Sequence, residues 1–216
     1  MKTIPKIYPV TDTRISGLPH LEQVRRLISG GASLIQLRDK TSAAGEFHQA
    51  AVEVVELAHR HGVKIIINDR ADVALTSGAD GVHLGQDDLS PVHARELLGP
   101  AAIIGFSTHS IEQARSALGL PIDYFAVGPI FATSTKSDHD PVVGLDGLRA
   151  LRALNPAFPL VAIGGISREN VASVFDAGAG CVALISDVLS EPSEISNRMR
   201  ALLEAGDNVI NRVGNV

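Results

Sequence analysis

Cysteine is nearly missing from this chain: Cys181 stands alone among 216 residues. A single thiol excludes an internal disulfide and fits a reducing compartment. Its neighbours Val182, Ala183 and Leu184 mark it as a buried structural thiol rather than a nucleophile. No stretch reaches the roughly 18 apolar residues of a membrane-spanning helix, and the start MKTIPKIYPV holds no long apolar segment. The expected setting is cytoplasmic. An excess of positive charge is lacking too. The formal net charge is −5, so neither nucleic acid nor a membrane is expected as partner. Nothing resembling G-x-G-x-x-G follows the first strand candidate, and no set of histidines has zinc-ligand spacing.

What is present points to one large α/β domain. The chain is 45% hydrophobic, with 20 glycines and 4% aromatics, a balance that suits many strand-to-helix turns. Its length can bury a full core without splitting into domains. Short runs rich in Val, Ile and Leu read as strands buried on both faces. They are Lys6–Thr11, Leu34–Arg38, Lys64–Asn68, Gly81–Leu84, Ala102–Phe106, Tyr124–Val127, Leu160–Ile163 and Cys181–Ile185. Between them lie helical patterns: one around Leu21, Val24, Leu27 and Ile28, then Glu46–His61, Ala71–Thr76, Pro91–Leu98, Ile111–Leu118, Leu145–Leu154, Arg168–Asp176 and Glu194–Ala205. Starts are marked by Ser90, Ser110 and Ser167, and ends by Gly30–Gly31, Gly62, Gly99, Gly178 and Gly206. Eight strands alternating with eight helices predict a single-domain (β/α)8 TIM barrel. A doubly wound open sheet is the alternative. The barrel is expected over residues 1–206, with a loose tail over 207–216.

In such a barrel the chemistry lies where strands end. The stretch KIIINDRADVALTSGADGVHLGQDD puts Asp69 at one strand end and Asp87 or Asp88 at the next. Parallel strands lie roughly 5 Å apart, so two such carboxylates can share one ion. Asp69 could instead pair with Arg70, and the later acid could cap a helix. Gln36, Arg38 and Lys40 alternate, so on extended backbone they face one way. Two cations and an amide suit a phosphate or pyrophosphate, although a rim network with Asp39 or Asp69 would use the same residues. Acids beside such a cluster imply a bridging divalent cation, and Mg²⁺ commonly takes few carboxylates plus phosphate oxygens.

The connection GPIFATSTKSDHDPVVG is the longest and most polar, and Thr133, Ser134, Thr135 and Lys136 offer hydroxyls and a cation for phosphate. Gly164-Gly165 and Ile185-Ser186 follow strands seven and eight, where barrels often build a phosphate site from backbone N–H groups. The mouth therefore reads as two anion sites, one with a metal and one without. That suggests joining two phosphorylated small molecules with loss of pyrophosphate. His83 should point inward, since Val82 and Leu84 point out; small Gly81 and Gly85 suggest a pocket around it. His20, His48, His59, His61 and His93 are expected at the surface. His109 and His139 fall on loops of the functional face without an assignable role.

These stretches together resemble the thiamine-phosphate synthase family, from YPVTD through QLRDK, INDR, GADGVHLGQDD, IIGFSTH, VGPIFATSTK and AIGGIS to VALIS. The resemblance spans nearly the whole chain. It implies a barrel enzyme, a transferase that condenses 4-amino-2-methyl-5-(diphosphooxymethyl)pyrimidine with a thiazole phosphate, by a dissociative Mg²⁺-assisted substitution. By the same resemblance Gln36, Arg38, Lys40, Asn68, Ser107 and Lys136 would hold the pyrimidine diphosphate. Asp69 and Asp88 would bind Mg²⁺. Thr133, Ser134, Thr135, Gly165, Ile185 and Ser186 would take the thiazole phosphate. Arg38, Lys40, Lys136 and His83 are the residues expected in catalysis. A thiazole tautomerase of the same fold is one rival; it carries a histidine in the strand-six motif, which here reads Val127-Gly128-Pro129-Ile130. A non-catalytic thiazole or thiamine phosphate-binding regulator is the other. The oligomeric state is left open, with room for a homo-oligomer.

Overall fold

The computed structural model describes residues 2–133 and 141–213, with 209–213 described by their backbone only. The chain begins with β1 (Ile7–Pro9), the short α1 (Thr13–Ser16) and α2 (His20–Ser29). Three strand–helix units follow: β2 (Leu34–Leu37) with α3 (Ala44–Arg60), β3 (Lys64–Asn68) with α4 (Ala71–Ser77), and β4 (Gly81–Leu84) with α5 (Pro91–Leu98). Next come β5 (Ile103–Thr108) with α6 (Ile111–Ala117), then β6 (Tyr124–Val127) with α7 (Gly144–Leu154). The last units are β7 (Leu160–Ile163) with α8 (Val171–Asp176), and β8 (Cys181–Leu184) with α9 (Ser186–Leu189) and α10 (Ile195–Val213).

All strands pair in parallel in the order β1-β8-β7-β6-β5-β4-β3-β2. A bridge from Val10 to Gln36 joins the two ends of that order and closes the ring. This is the expected (β/α)8 TIM barrel. Side-chain alternation divides its core in two. On β3, Ile65 and Ile67 pack outward against the helices, while Ile66 packs inward with Tyr8, Tyr124, Val161 and Cys181. The inner layer fills the barrel with side chains, as small barrels require. Cys181 sits there, 2% exposed, and burial pushes its thiol well above the ordinary value.

Several expected boundaries shift for physical reasons. β5 runs on to Thr108, so Ser107 is held by the sheet rather than by a loop. α8 starts at Val171, because Ser167 and Asn170 form a turn in which the Ser167 N–H donates to Asn170 Oδ1 at 2.8 Å. Gly206 does not end the last helix. Its carbonyl accepts from Lys6 Nζ at 3.2 Å, and the helix continues to Val213 through residues expected to be loose. Among the described residues, no helix is long and apolar enough to cross a membrane.

Candidate active site

The strand ends of the barrel surround a cavity of about 690 Å³, lined among others by Gln36, Arg38, Lys40, Asn68, Asp69 and Asp88. His83, Ser107 and Ile185 also face it. A smaller space of about 50 Å³ adjoins it, lined by Thr133, Gly164, Gly165, Ile185 and Ser186. Ser107, His109, Ala126, Ile163, Ala183 and Ile185 border both. The structure thus gathers Gln36, Arg38, Lys40, Asn68 and Ser107, expected to meet the pyrimidine diphosphate, on one side, and Thr133, Gly165, Ile185 and Ser186 on the other. Ser134, Thr135 and Lys136 lie outside the described residues.

Asp69 sits at the end of β3 in the left-handed region, at φ 63, the only non-glycine residue there among those described. Aspartate tolerates that region better than most residues, and such conformations gather at functional sites. Its N–H donates to the His83 carbonyl at 2.8 Å, so β4 holds the turn that aims its carboxylate. Lys40 Nζ lies 2.5 Å from Asp69 Oδ2 at the exposed rim. The rim pairing foreseen as an alternative for Lys40 is therefore real. Asp88 and Asp87 both border the cavity; the Asp88 Oδ2 accepts the Gly85 N–H at 2.7 Å, and its carboxyl neighbours that of Asp69. Burial raises the Asp88 carboxyl, the Gly85 N–H pulls it down, and the Asp69 charge raises it again. Two acids forced together in this way favour either a shared proton or a cation between them.

Among the described residues, no three His, Cys, Asp or Glu side chains gather to hold a metal by themselves. A magnesium ion fits this pair nonetheless, because Mg²⁺ uses one or two carboxylates and completes its shell with water and phosphate oxygens. Asn68 Nδ2 adds a second sign of a ligand. It is buried and has no hydrogen-bond partner among the described residues, a costly arrangement unless something else accepts its proton.

Arg38 lies at the cavity with Gln36 and Lys40 as expected, and it is its ion-pair partner that differs from the rim network weighed as the alternative. Arg38 is only 7% exposed. Its Nη1 is paired with Asp12 Oδ2, and Asp12 is held in turn by Arg14 at 3.2 Å. Its partner is neither Asp39 nor Asp69. Asp39 instead accepts from the Thr41 and Ser42 N–H groups at 2.8 and 2.9 Å and contacts His20 Nε2 at 3.1 Å. His20 is consequently not at the surface: it is 5% exposed, with Nδ1 3.0 Å from Thr11 Oγ1. This cluster fastens α2 to the loop that carries Arg38 and Lys40.

On the β7–β8 side the wall is uncharged, glycine backbone set beside Ile163, Ala183 and Ile185. Gly164 and Gly165 have φ 97 and 65, and a Cβ on Gly165 would stand 2.7 Å from the Ala132 carbonyl. Glycine is thus required here twice, by conformation and by contact. Asn170 Nδ2 donates to the Gly165 carbonyl at 3.0 Å and fixes the loop. α9 begins at Ser186, the short extra helix with which barrels often complete a phosphate site.

His83 points inward as expected, but the room around it comes from elsewhere. A Cβ on Gly105 would lie 2.5 Å from His83 Nδ1, whereas Gly81 makes room for the Ile103 backbone and Gly85 for Asp88. Three residues escape sequence reasoning altogether: Tyr8, Tyr124 and Gly105. A tyrosine inside a strand whose alternate residues face the core needs a partner for its hydroxyl, and that need is the one signal the sequence carries for the two tyrosines.

A family model described as thiamine monophosphate synthase matches residues 7–188. The chain belongs to that family. Members are transferases, and this protein is such an enzyme. It is 44% identical over 209 residues to a thiamine-phosphate synthase of Koribacter versatilis, covering 94% of this chain and 97% of the relative. It is 45% identical over 191 residues to one of Methanoregula boonei, with 88% of each covered. Its structure is similar to thiamine phosphate pyrophosphorylase from Pyrococcus furiosus, with TM-score 0.85, 34% identity, and 94% and 96% of the two chains covered.

Proposed function

We propose that this family member condenses 4-amino-2-methyl-5-(diphosphooxymethyl)pyrimidine with a thiazole phosphate, giving thiamine phosphate and pyrophosphate. One observation carries the reading: a charged cavity, with an orphaned amide and paired acids, shares its wall with a glycine-built space beside a short helix. Two anionic substrates would then meet across Ser107, His109 and Ile185.

Gln36, Asn68 and Ser107 would hold the pyrimidine, with Arg38, Lys40 and Lys136 against its diphosphate. Asp69 and Asp88 would hold Mg²⁺, whose charge counters the negative charge building on the leaving group. The carbon–oxygen bond to the diphosphate breaks first, and its electron pair leaves with pyrophosphate. The electron-rich aminopyrimidine carries the resulting benzylic-type cation. The thiazole nitrogen then donates its lone pair to that carbon and the new carbon–nitrogen bond forms. No protein nucleophile takes part. Thr133, Ser134, Thr135, Gly165, Ile185 and Ser186 would fix the thiazole phosphate so that its nitrogen faces the cation. The apolar wall of Ala126, Val161, Ile163 and Ala183 would keep water from the cation.

The test is pyrophosphate release with both substrates, with and without Mg²⁺. Release that needs both substrates and the metal supports the reading. No release under any condition overturns it, and leaves the tautomerase and the phosphate-binding regulator to be tried with the thiazole alone.

A further inference from the structure

A chain of hydrogen bonds crosses the barrel interior beneath the cavity. Gln36 Nε2 donates to the Tyr8 hydroxyl at 3.1 Å. The Tyr8 and Tyr124 hydroxyls lie 3.0 Å apart, Tyr124 OH is 2.9 Å from His83 Nδ1, and His83 Nε2 is 2.8 Å from Ser107 Oγ. The two tyrosine rings meet edge to face at 86°, and His83 stacks on Tyr124 at 5.5 Å. Gly105 makes this stacking possible, because a Cβ there would stand 2.1 Å from Tyr124 Cζ. Tyr8 and Tyr124 are essentially unexposed, and both ends of the chain, Gln36 and Ser107, face the cavity.

The protons in such a chain have a direction. An amide NH₂ can only donate, so Tyr8 accepts from Gln36 and spends its one proton on Tyr124. Tyr124 then gives its proton to His83 Nδ1, which leaves the imidazole proton on Nε2, donating to Ser107 Oγ. The Ser107 proton remains for a ligand, and Gln36 Oε1 remains as an acceptor. Turning the Gln36 amide over reverses every bond. Gln36 would then offer protons to the cavity and Ser107 lone pairs. Both hydroxyls keep their protons throughout, since burial raises Tyr8 and Tyr124 far above the ordinary phenol value. The two ends therefore switch together or not at all, because a broken link would leave a buried polar group unpaired.

We infer that Tyr8, Tyr124 and His83 are positioning residues whose relay fixes Ser107 as a donor and Gln36 as an acceptor toward one heterocycle. An aminopyrimidine presents an amino donor beside a ring-nitrogen acceptor, which is the complement of that pair. The inference rests on the proposed function for its ligand. The relay itself does not depend on it.

Two measurements test it, both on the full chain. Nitrogen-15 spectra of the imidazole in mildly alkaline buffer, without ligand, should show His83 protonated on Nε2 with Nδ1 as acceptor. The opposite tautomer overturns the inference whatever the protein catalyses. A double-mutant cycle then reads the coupling. Tyr124→Phe should lower kcat/KM for the pyrimidine diphosphate about tenfold, the scale of one hydrogen bond. In a Ser107→Ala background the same change should do almost nothing, because its effect runs through the serine. Additive losses would mean that Tyr124 only packs, and would sink the inference while wild-type turnover still upheld the function. If Tyr124→Phe fails to fold, as thermal melting will tell, Tyr8→Phe cuts the chain one link earlier and serves the same cycle. Absence of pyrophosphate release by the wild type would strike the function alone.

Discussion

The two sides of the cavity are made of different materials. Toward β2, β3 and β4 it is walled by side chains with charge or hydrogen-bonding heads: Arg38, Lys40, Asn68, Asp69 and Asp88. Toward β7 and β8 it is walled by glycines, Ile185 and the start of a short helix. The first side holds its groups by pairing them, Arg38 with Asp12 and Lys40 with Asp69. The second holds its backbone by close contact, with the Phe131 N–H donating to the Gly164 carbonyl at 3.0 Å. A side-chain wall fails when a group is removed. A backbone wall fails when a group is added. That difference orders the experiments.

The largest loss should come from Asp69→Asn. Asparagine tolerates the left-handed backbone at this position, so the change removes charge with little strain. Mg²⁺-dependent pyrophosphate release should fall by about 10²–10³-fold, the scale seen when one preorganised electrostatic group is lost, while the unfolding midpoint stays close to wild type. Near-normal turnover would take Asp69 out of the metal site and remove the charged side's main claim to chemistry.

Next comes Gly165→Ala. A Cβ at φ 65 costs about 1–2 kcal/mol by itself, and here it also meets the Ala132 carbonyl and the Phe131 Cβ at 2.7 and 2.8 Å. Urea unfolding should show a loss of roughly 2 kcal/mol or more, and KM for the thiazole phosphate should rise while that for the pyrimidine diphosphate barely moves. Equal damage to both constants would mean that the two sides do not act separately.

Why the two sides differ in legibility follows from the same contrast. Charged residues at strand ends announce themselves by type and spacing, so Asp69, Lys40 and the adjacent acids Asp87 and Asp88 stand out in the amino-acid sequence by itself, without a choice between the last two. The eight-strand barrel is legible there as well, because its strands are continuous apolar runs between capped helices. Partners across the barrel are not. Arg38 meets Asp12 over 26 positions of chain and Tyr8 meets Tyr124 over 116, and no local pattern encodes such distances. His20 shows the same limit: a histidine at a helix start reads as solvated until Asp39 and Thr11 close over it. Gly165 is legible only as a glycine that could admit an anion. Its real constraint, the carbonyl of Ala132, belongs to another loop.

A smaller effect should separate the sides by pH. Burial, opposed by the Asp39 contact, lowers the His20 pKa below the ordinary histidine value. The unfolded chain then binds a proton that the folded one resists, so stability falls as pH drops through about 6.5 and levels off below the folded value. Asp39 is held well below the usual carboxylate range despite burial, by the Ser42 and Thr41 N–H groups and by His20, so its own contribution is lost only in stronger acid. His20→Gln should cost about 1 kcal/mol at neutral pH and flatten the slope of the urea midpoint between pH values of about 7.5 and 5.5. An unchanged slope would mean that this histidine charges freely and that its cluster does not brace the Arg38–Lys40 loop.

The smallest effect should be the most telling about materials. Ser186→Ala removes a hydroxyl from the residue that opens α9, yet leaves the backbone N–H in place. If the thiazole phosphate is held by main-chain donors, KM should change by no more than about twofold, well under the cost of a lost charged hydrogen bond. A rise of about tenfold or more would assign the phosphate contact to the hydroxyl. The β7–β8 side would then be a side-chain site like its neighbour, differing only in lacking charge.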